Sequence, residues 1–261
     1  MSLRFRPVKG FLHIQPFMQR TNIVELLDSD AGSPRDIQAS LQDLCRMNRW
    51  FGGVATTYSM VEQVVAATGT KHLSLLEVAA GFGEAPRTTA KRLARRGVVL
   101  DFTLLDRAPS HLPARSRAVV ADALALPFRD AAFDLVSCNL FAHHLDPPQL
   151  VHFVRAALQV SRCAVLINDL IRHPLHLALV YAGFPLMRTY ISRVDGLASV
   201  RRAYVPDEIR RMLSSAFPSE KAPRLEISRH YLFRMAVILW KEPSPDRLVR
   251  PEQRAGDRPM P

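Results

Sequence analysis

The sequence predicts an α/β fold: a seven-stranded, mostly parallel sheet with helices packed on it. Three observations predict it. From Leu73 onward, short apolar runs alternate with stretches of helical pattern. The first run ends in a glycine-rich turn and the next two are followed by aspartates, the chemistry expected at the carboxyl ends of strands that hold a ligand. The last two runs, Arg224–Ser228 and Leu232–Trp240, read as paired strands joined by a short connection.

Taken in order, residues 1–20 read as a flexible leader. Its Arg4, Arg6 and Lys9 precede a short apolar patch broken by His13, Gln15 and Pro16, with no small-residue cleavage site after it, so a secretory signal is not expected and the protein reads as cytoplasmic. Residues 21–70 read as an N-terminal helical cap. A short segment runs through Leu27, and a helix starts near Pro34 with Ser33 as its N-cap and Ile37, Leu41 and Leu44 on one face. Gly52-Gly53 separates it from a second helix carrying Val54, Val61, Val64 and Val65 and ending at Gly69.

The core spans 71–241. Its parallel strands are expected at Ser74–Ala79, Val98–Leu105, Ala118–Ala121, Phe133–Cys138 and Cys163–Asn168, with helices from Pro86 to Arg96 and from Pro147 to about Val160. A long insertion at about 171–203 is apolar and then basic, and Val205-Pro206-Asp207 opens a further helix with acids near the positive end of its dipole. Residues 242–261, rich in Pro, Arg and Asp, read as a disordered tail.

Composition excludes several classes. The 261 residues, 48% of them hydrophobic, can bury a full core. No apolar run approaches the roughly 20 residues of a membrane-spanning helix; the richest, Pro174 to Met187, is broken by His176, Gly183 and Pro185. The net charge of +11 is mostly arginine spread along the chain, which reads as solvated faces rather than a phosphate track, so a nucleic-acid partner is not expected. Cys45, Cys138 and Cys163 form no CxxC pair; neither a zinc site nor a disulfide framework, and no metal, is expected.

The chemistry sits in Leu75-Leu76-Glu77-Val78-Ala79-Ala80-Gly81-Phe82-Gly83, a strand running into a Gly-x-Gly turn and a helix. Gly81 and Gly83 let the backbone approach a ligand closely. A dinucleotide site would want a third glycine where Pro86 stands, and Glu77 would repel a pyrophosphate; an acid there suits an ammonium group instead. Asp106, after the second strand, can accept hydrogen bonds from both hydroxyls of a ribose. Asp122 can accept from an exocyclic amine such as that of adenine, with the Ala123 N–H beside it. Three acids at three successive strand ends point to a nucleoside ligand without phosphates.

Glu77–Gly83, Asp106, Asp122-Ala123 and Phe133-Asp134-Leu135-Val136 together resemble the ordered motifs of the class I S-adenosylmethionine-dependent methyltransferases, in the small-molecule branch that includes the ubiquinone and menaquinone methyltransferases. The resemblance covers roughly Leu73 to Asn168, and the last strand pair is similar to the family's reversed final strand. It implies a Rossmann-like sheet with helices on both faces and S-adenosyl-L-methionine as cofactor. It further implies that Glu77, Ala79, Gly81 and Gly83 line the methionine end, that Asp106 with Arg107 lies at the ribose, and that Asp122 with Ala123 lies at the adenine. Asn139 and Leu140 would sit near the methionine and the transferring methyl. The family's usual first loop glycine is Ala79 here, and the helix between the second and third strands is squeezed into Ala108–Arg117, with two prolines.

On the acceptor side, His143 and His144 follow the fourth strand. Either can deprotonate a phenol or hydroxyl, or both can serve the local packing. Asn168-Asp169 is a further candidate for the pocket wall. The insertion, with Leu175, Leu177, Leu179, Tyr181, Phe184 and Leu186, reads as a buried helix or as a lid over a lipophilic acceptor; Trp50-Phe51 suits a hinged aromatic lid, and Arg201, Arg202 and Tyr204 suit contacts to an acidic or phenolic acceptor. The expectation is methylation of a small, lipophilic or aromatic metabolite of secondary metabolism, on oxygen in preference to carbon. The competing readings are an RNA or DNA methyltransferase and a non-catalytic nucleoside-binding protein of the same fold. Asn139-Leu140-Phe141 is not the Asn/Asp-Pro-Pro-aromatic turn of adenine amine methylases.

Overall fold

A computed structural model of the chain describes residues 18–29, 32–218 and 222–241. Most of the expected leader and the whole expected tail lie outside them. Its sheet has seven strands in the order β3-β2-β1-β4-β5-β7-β6. These are β1 (His72–Val78), β2 (Val99–Asp106), β3 (Ala118–Val120), β4 (Phe133–Asn139), β5 (Ser161–Leu170), β6 (Arg224–His230) and β7 (Arg234–Trp240). β1 to β5 are parallel; β7 runs antiparallel to both β5 and β6. Strand order reverses between β1 and β4, which opens a crevice at their carboxyl ends.

Alternation along the strands splits the core into two layers. Leu75, Leu135, Leu166 and Ile238 face one side, where α2 (Gly53–Thr68) and α3 (Glu84–Ala94) bury Met60, Val61, Val64 and Leu93 against them. Leu76, Val136, Val165, Ile167 and Val237 face the other, covered by α4 (Pro147–Val160) and α7 (Pro206–Ala216) through Leu150, Phe153, Ile209 and Leu213. The expected squeeze between β2 and β3 leaves a single 3-10 turn, Pro109–His111.

Over the carboxyl ends lie α1 (Pro34–Trp50), α5 (Pro174–Ala182), α6 (Tyr190–Arg202) and a 3-10 turn, Leu26–Ser29. Ser33 caps α1 by accepting from the Asp36 N–H, as its sequence suggests. Asp43 of α1 accepts from the Arg188 N–H at 2.6 Å, and Arg46 donates to the Leu186 carbonyl at 2.6 Å, tying α1 to the insertion. Two expectations change here. Only the first part of 21–70 lies over the strand ends, because the valine stripe of α2 packs on the sheet face. Residues 18–20 are not loose: Arg20 donates to the carbonyls of Arg202, His143 and Leu145 at 2.7–3.0 Å.

The insertion is not a buried helix. Of α5 only His176 is buried; Leu175 and Tyr181 are about half exposed, and the neighbouring Leu186 and Tyr190 are exposed as well. Trp50 is exposed, whereas Phe51 turns inward to a cavity.

Candidate active site

A cavity of about 890 Å³ occupies the space between the strand tips and these capping elements. Ala79, Gly81, Asp106, Arg107, Asp122, Ala123 and Leu140 line its floor, and His143 and His144 line its side. The carboxyl ends of β1 and β4 carry backbone strain: Ala79 and Leu140 hold φ of 52° and 53°, left-handed values that cost a residue with a Cβ about 1–2 kcal/mol. Such strain persists where surrounding structure enforces it, and it concentrates at functional sites. Ala79 therefore occupies the conformation for which a first loop glycine is suited.

Asp106 organises the floor. One carboxylate oxygen accepts from the Gly81 N–H at 2.9 Å and the other from the Ala108 N–H at 3.0 Å, with His111 Nδ1 3.6 Å away. Burial pushes this carboxyl up, but the hydrogen bonds from His111, Gly81 and Ala108 outweigh that and hold it below the usual carboxylate range. A Cβ on Gly81 would meet nothing within 4 Å, so the bare backbone of that turn faces open space. Asp122 accepts from the Leu124 N–H at 2.8 Å, an Asx turn that presents the Ala123 backbone to the cavity.

Three residues expected at the cofactor stand behind the wall instead. Glu77 lies on the Leu73–Leu75 face of β1, under α2, and is 1% exposed. Its carboxylate accepts from the Ser137 hydroxyl and from Asn139 Nδ2. Asn139 in turn accepts from Thr57 at 2.6 Å and from Asn168 at 2.7 Å, so Asn139 and Asn168 serve a buried network rather than the cavity. Gly83 is a packing position: at φ 64° an added Cβ would lie 2.6 Å from Leu104 Cδ1. Gly83→Ala is therefore expected to cost about 1–2 kcal/mol of stability, read by urea unfolding, with little change in ligand affinity.

The two histidines differ. His143 is buried; its Nδ1 lies 2.6 Å from Asp169, which also accepts from the His143 N–H at 2.8 Å. Its Nε2 is 3.3 Å from Glu25 Oε1, within ion-pair range but poorly aligned for a hydrogen bond. Burial opposes its charge, yet Asp169 and Glu25 together push its pKa up to about 10. With each ring nitrogen facing a carboxylate, His143 has no nitrogen turned toward an acceptor's proton, an arrangement unlike that expected of a base. Asp169 is spent on this contact. His144 is only partly buried, with Nδ1 2.9 Å from the Asp28 carboxylate and its ring stacked on Phe141.

Arg202 and Tyr204 do not meet an acceptor either. Arg202 donates to the carbonyls of Ile23, His143 and His144, and the Tyr204 hydroxyl to the Leu145 carbonyl. What sequence reading missed is Glu25 and Asp28, which the turn at Leu26–Ser29 delivers from a segment without any motif. Asp195 pins that turn by accepting from the N–H groups of Leu26 and Leu27.

The sheet order, the glycine turn and the acids at the strand tips define a Rossmann-like nucleoside-binding fold. Residues 75–163, about a third of the chain, match the family model described as a methyltransferase domain. No curated protein matches the sequence. Among solved structures, the chain is similar to the plantazolicin methyltransferase BpumL in complex with SAH, at TM-score 0.63 and 13% identity over 83% of this chain and 93% of that one. It is also similar to BpumL in complex with a monoazolic desmethylPZN analog and SAH, at TM-score 0.62 and 14% identity over 83% and 92%. At such identity the likeness is one of fold. The match makes this region a methyltransferase domain and the chain an enzyme of the methyl-transferring type. Among the described residues no helix is long and apolar enough to cross a membrane.

Proposed function

We propose that the protein transfers the methyl group of S-adenosylmethionine to a small, lipophilic or aromatic acceptor, on oxygen in preference to carbon. The observation that carries this reading is a single cavity with two characters. Its floor offers Gly81, Asp106 and Asp122-Ala123 to a nucleoside; its far wall is apolar, with Leu41, Leu44, Met47, Phe51, Leu179 and Met187. Its volume lies near the upper end of the roughly 300–1,000 Å³ range of small-molecule sites, room for a nucleoside beside a second molecule. That BpumL is crystallised with SAH and azolic analogs together is consistent with a heteroaromatic acceptor in the same place.

In this reading Asp106 holds the ribose with Arg107 beside it, Asp122 and Ala123 meet the adenine, and Ala79, Gly81 and Leu140 meet the methionine end. Glu77, Gly83 and Asn139 act from behind, by keeping the turn in place. The sulfonium is itself reactive, so the protein's main task is in-line positioning in a dry pocket, which contributes several kcal/mol. α5 and the Phe184–Leu186 turn, apolar yet half exposed, act as the cover over the acceptor. Incubation with methyl-labelled cofactor and a host extract, followed by mass spectrometry, is expected to show label on a small apolar metabolite. Label on RNA or DNA, with binding that falls steeply with salt, would overturn the acceptor assignment; cofactor binding without any labelled product would overturn turnover.

A further inference from the structure

Glu25, His143 and His144 each offer one ligand atom, and these atoms lie within 4.8 Å of one another. Each histidine has its Nδ1 held by a different carboxylate, Asp169 for His143 at 2.6 Å and Asp28 for His144 at 2.9 Å. That leaves both Nε2 atoms directed to one shared glutamate: His143 Nε2 is 3.3 Å from Glu25 Oε1 and His144 Nε2 is 3.7 Å from Glu25 Oε2. Histidines that ligate a metal are commonly fixed through the other ring nitrogen in this way. Glu25 Oε1 and His143 Nε2 are buried and face each other across 3.3 Å as an ion pair, with neither making a well-formed hydrogen bond. Ligand atoms bound at about 2.0–2.1 Å to a tetrahedral ion stand about 3.3–3.4 Å from one another, so the three ligand atoms, now within 4.8 Å of one another, need only a small inward shift to share one ion.

The nearby guanidinium is only at the edge of ion-pair range of the glutamate. Arg202 Nη1 stands 4.0 Å from Glu25 Oε1 and is spent on the Ile23 carbonyl at 3.0 Å and on Asp28 at 3.2 Å, while Nη2 serves the His144 carbonyl at 2.7 Å. All three candidate ligands line the cavity. Two imidazoles and one carboxylate with a position left open form the donor set of catalytic zinc and related first-row dications.

We propose that Glu25, His143 and His144 bind one divalent first-row cation of the zinc type, its open coordination position facing the cavity. The ion takes the place of the His143 Nε2 proton. If the methyl-transfer reading above holds, on which this part rests, the open position receives the acceptor's oxygen. A bound hydroxyl releases its proton to water more readily; the oxygen lone pair then forms the C–O bond as the S–C bond breaks, and the electron pair leaves with sulfur as the neutral thioether.

The test uses the full chain without an affinity tag, stripped with chelator and reloaded with zinc or cobalt. One zinc per chain retained through gel filtration is expected, with visible d–d bands from bound cobalt. His144→Ala and Glu25→Gln are expected to weaken zinc binding at least 10-fold, and Asp28→Asn, which loosens the His144 ring and also the Arg202 contact, by about 10–100-fold, with thermal melts showing that each variant is folded. Zinc well below one per chain, or affinity unchanged in Glu25→Gln and His144→Ala, would overturn the site and leave a protonated ion-pair network. A parallel titration with S-adenosylmethionine separates the two readings. Cofactor binding without metal binding removes only the cation; metal binding without cofactor removes the methyltransferase assignment.

Discussion

Asp106→Ala is expected to weaken S-adenosylmethionine binding about 100-fold or more, measured by calorimetric titration. Each hydrogen bond to a charged partner contributes about 1.5–3 kcal/mol, and a ribose presents two hydroxyls to this carboxylate. The loss of both amounts to at least about 3 kcal/mol, or a factor of about 100 in Kd. The substitution also frees the Gly81 and Ala108 N–H groups that Asp106 now holds, so the turn after β1 loses its tie to the end of β2. Both effects act on the same ligand. Asp106→Asn is not a benign control, since its amide would direct a donor at one of those two N–H groups. The better comparison is Asp122→Ala, whose side chain holds only its own turn through Leu124; it is expected to cost less affinity. Equal cofactor affinity in parent and Asp106→Ala, with both folded, would remove the ribose assignment.

Why the sequence places Asp106 and Asp122 at the cavity but not Glu25 and Asp28 is a matter of range. Each acid follows a strand-like run directly, so local pattern places it at a strand tip, and the parallel order of β1, β2 and β3 then brings the tips together. The Glu77 position is legible in the same pattern, although the motif points to the ligand. Two residues from Leu75, it shares that residue's face of the sheet, and α2 covers that face. Gly83 likewise answers to Leu104, a contact between α3 and β2 that no local spacing announces. The Glu25 and Asp28 contacts to the histidines join distant segments through a turn held by Asp195, and no periodicity encodes such a meeting. The insertion misled in a different way. Leu175, Tyr181 and Leu186 look like core by composition, yet they remain exposed, because an element over a cavity has an apolar inner side and little packed outside it.

Glu77→Gln is expected to raise stability by up to about 3 kcal/mol at pH 8, and the gain should vanish as the pH falls to about 4.5. Glu77 lies fully buried, and burial holds its carboxyl up at about 7 even though the Ser137 and Asn139 hydrogen bonds act in the opposite direction. In the unfolded chain its pKa returns to the ordinary 4.5. Between these values the folded protein keeps a proton that the unfolded chain has released, so raising the pH favours unfolding. Below about 4.5 both states are protonated and the residue is neutral in the balance. Above about 7 both are ionised and the full cost of a buried carboxylate stands, near 1.36 kcal/mol for each unit of displacement. Glutamine keeps an acceptor for Ser137 or Asn139 and carries no charge to bury, so the variant loses this pH dependence. The difference between parent and variant in urea unfolding, followed from pH 4.5 to 8, cancels every other titrating group common to both. A difference that stays flat across that range, or that favours the parent at pH 8, would mean that the Ser137–Asn139–Thr57 network stabilises the ionised carboxylate more than burial penalises it.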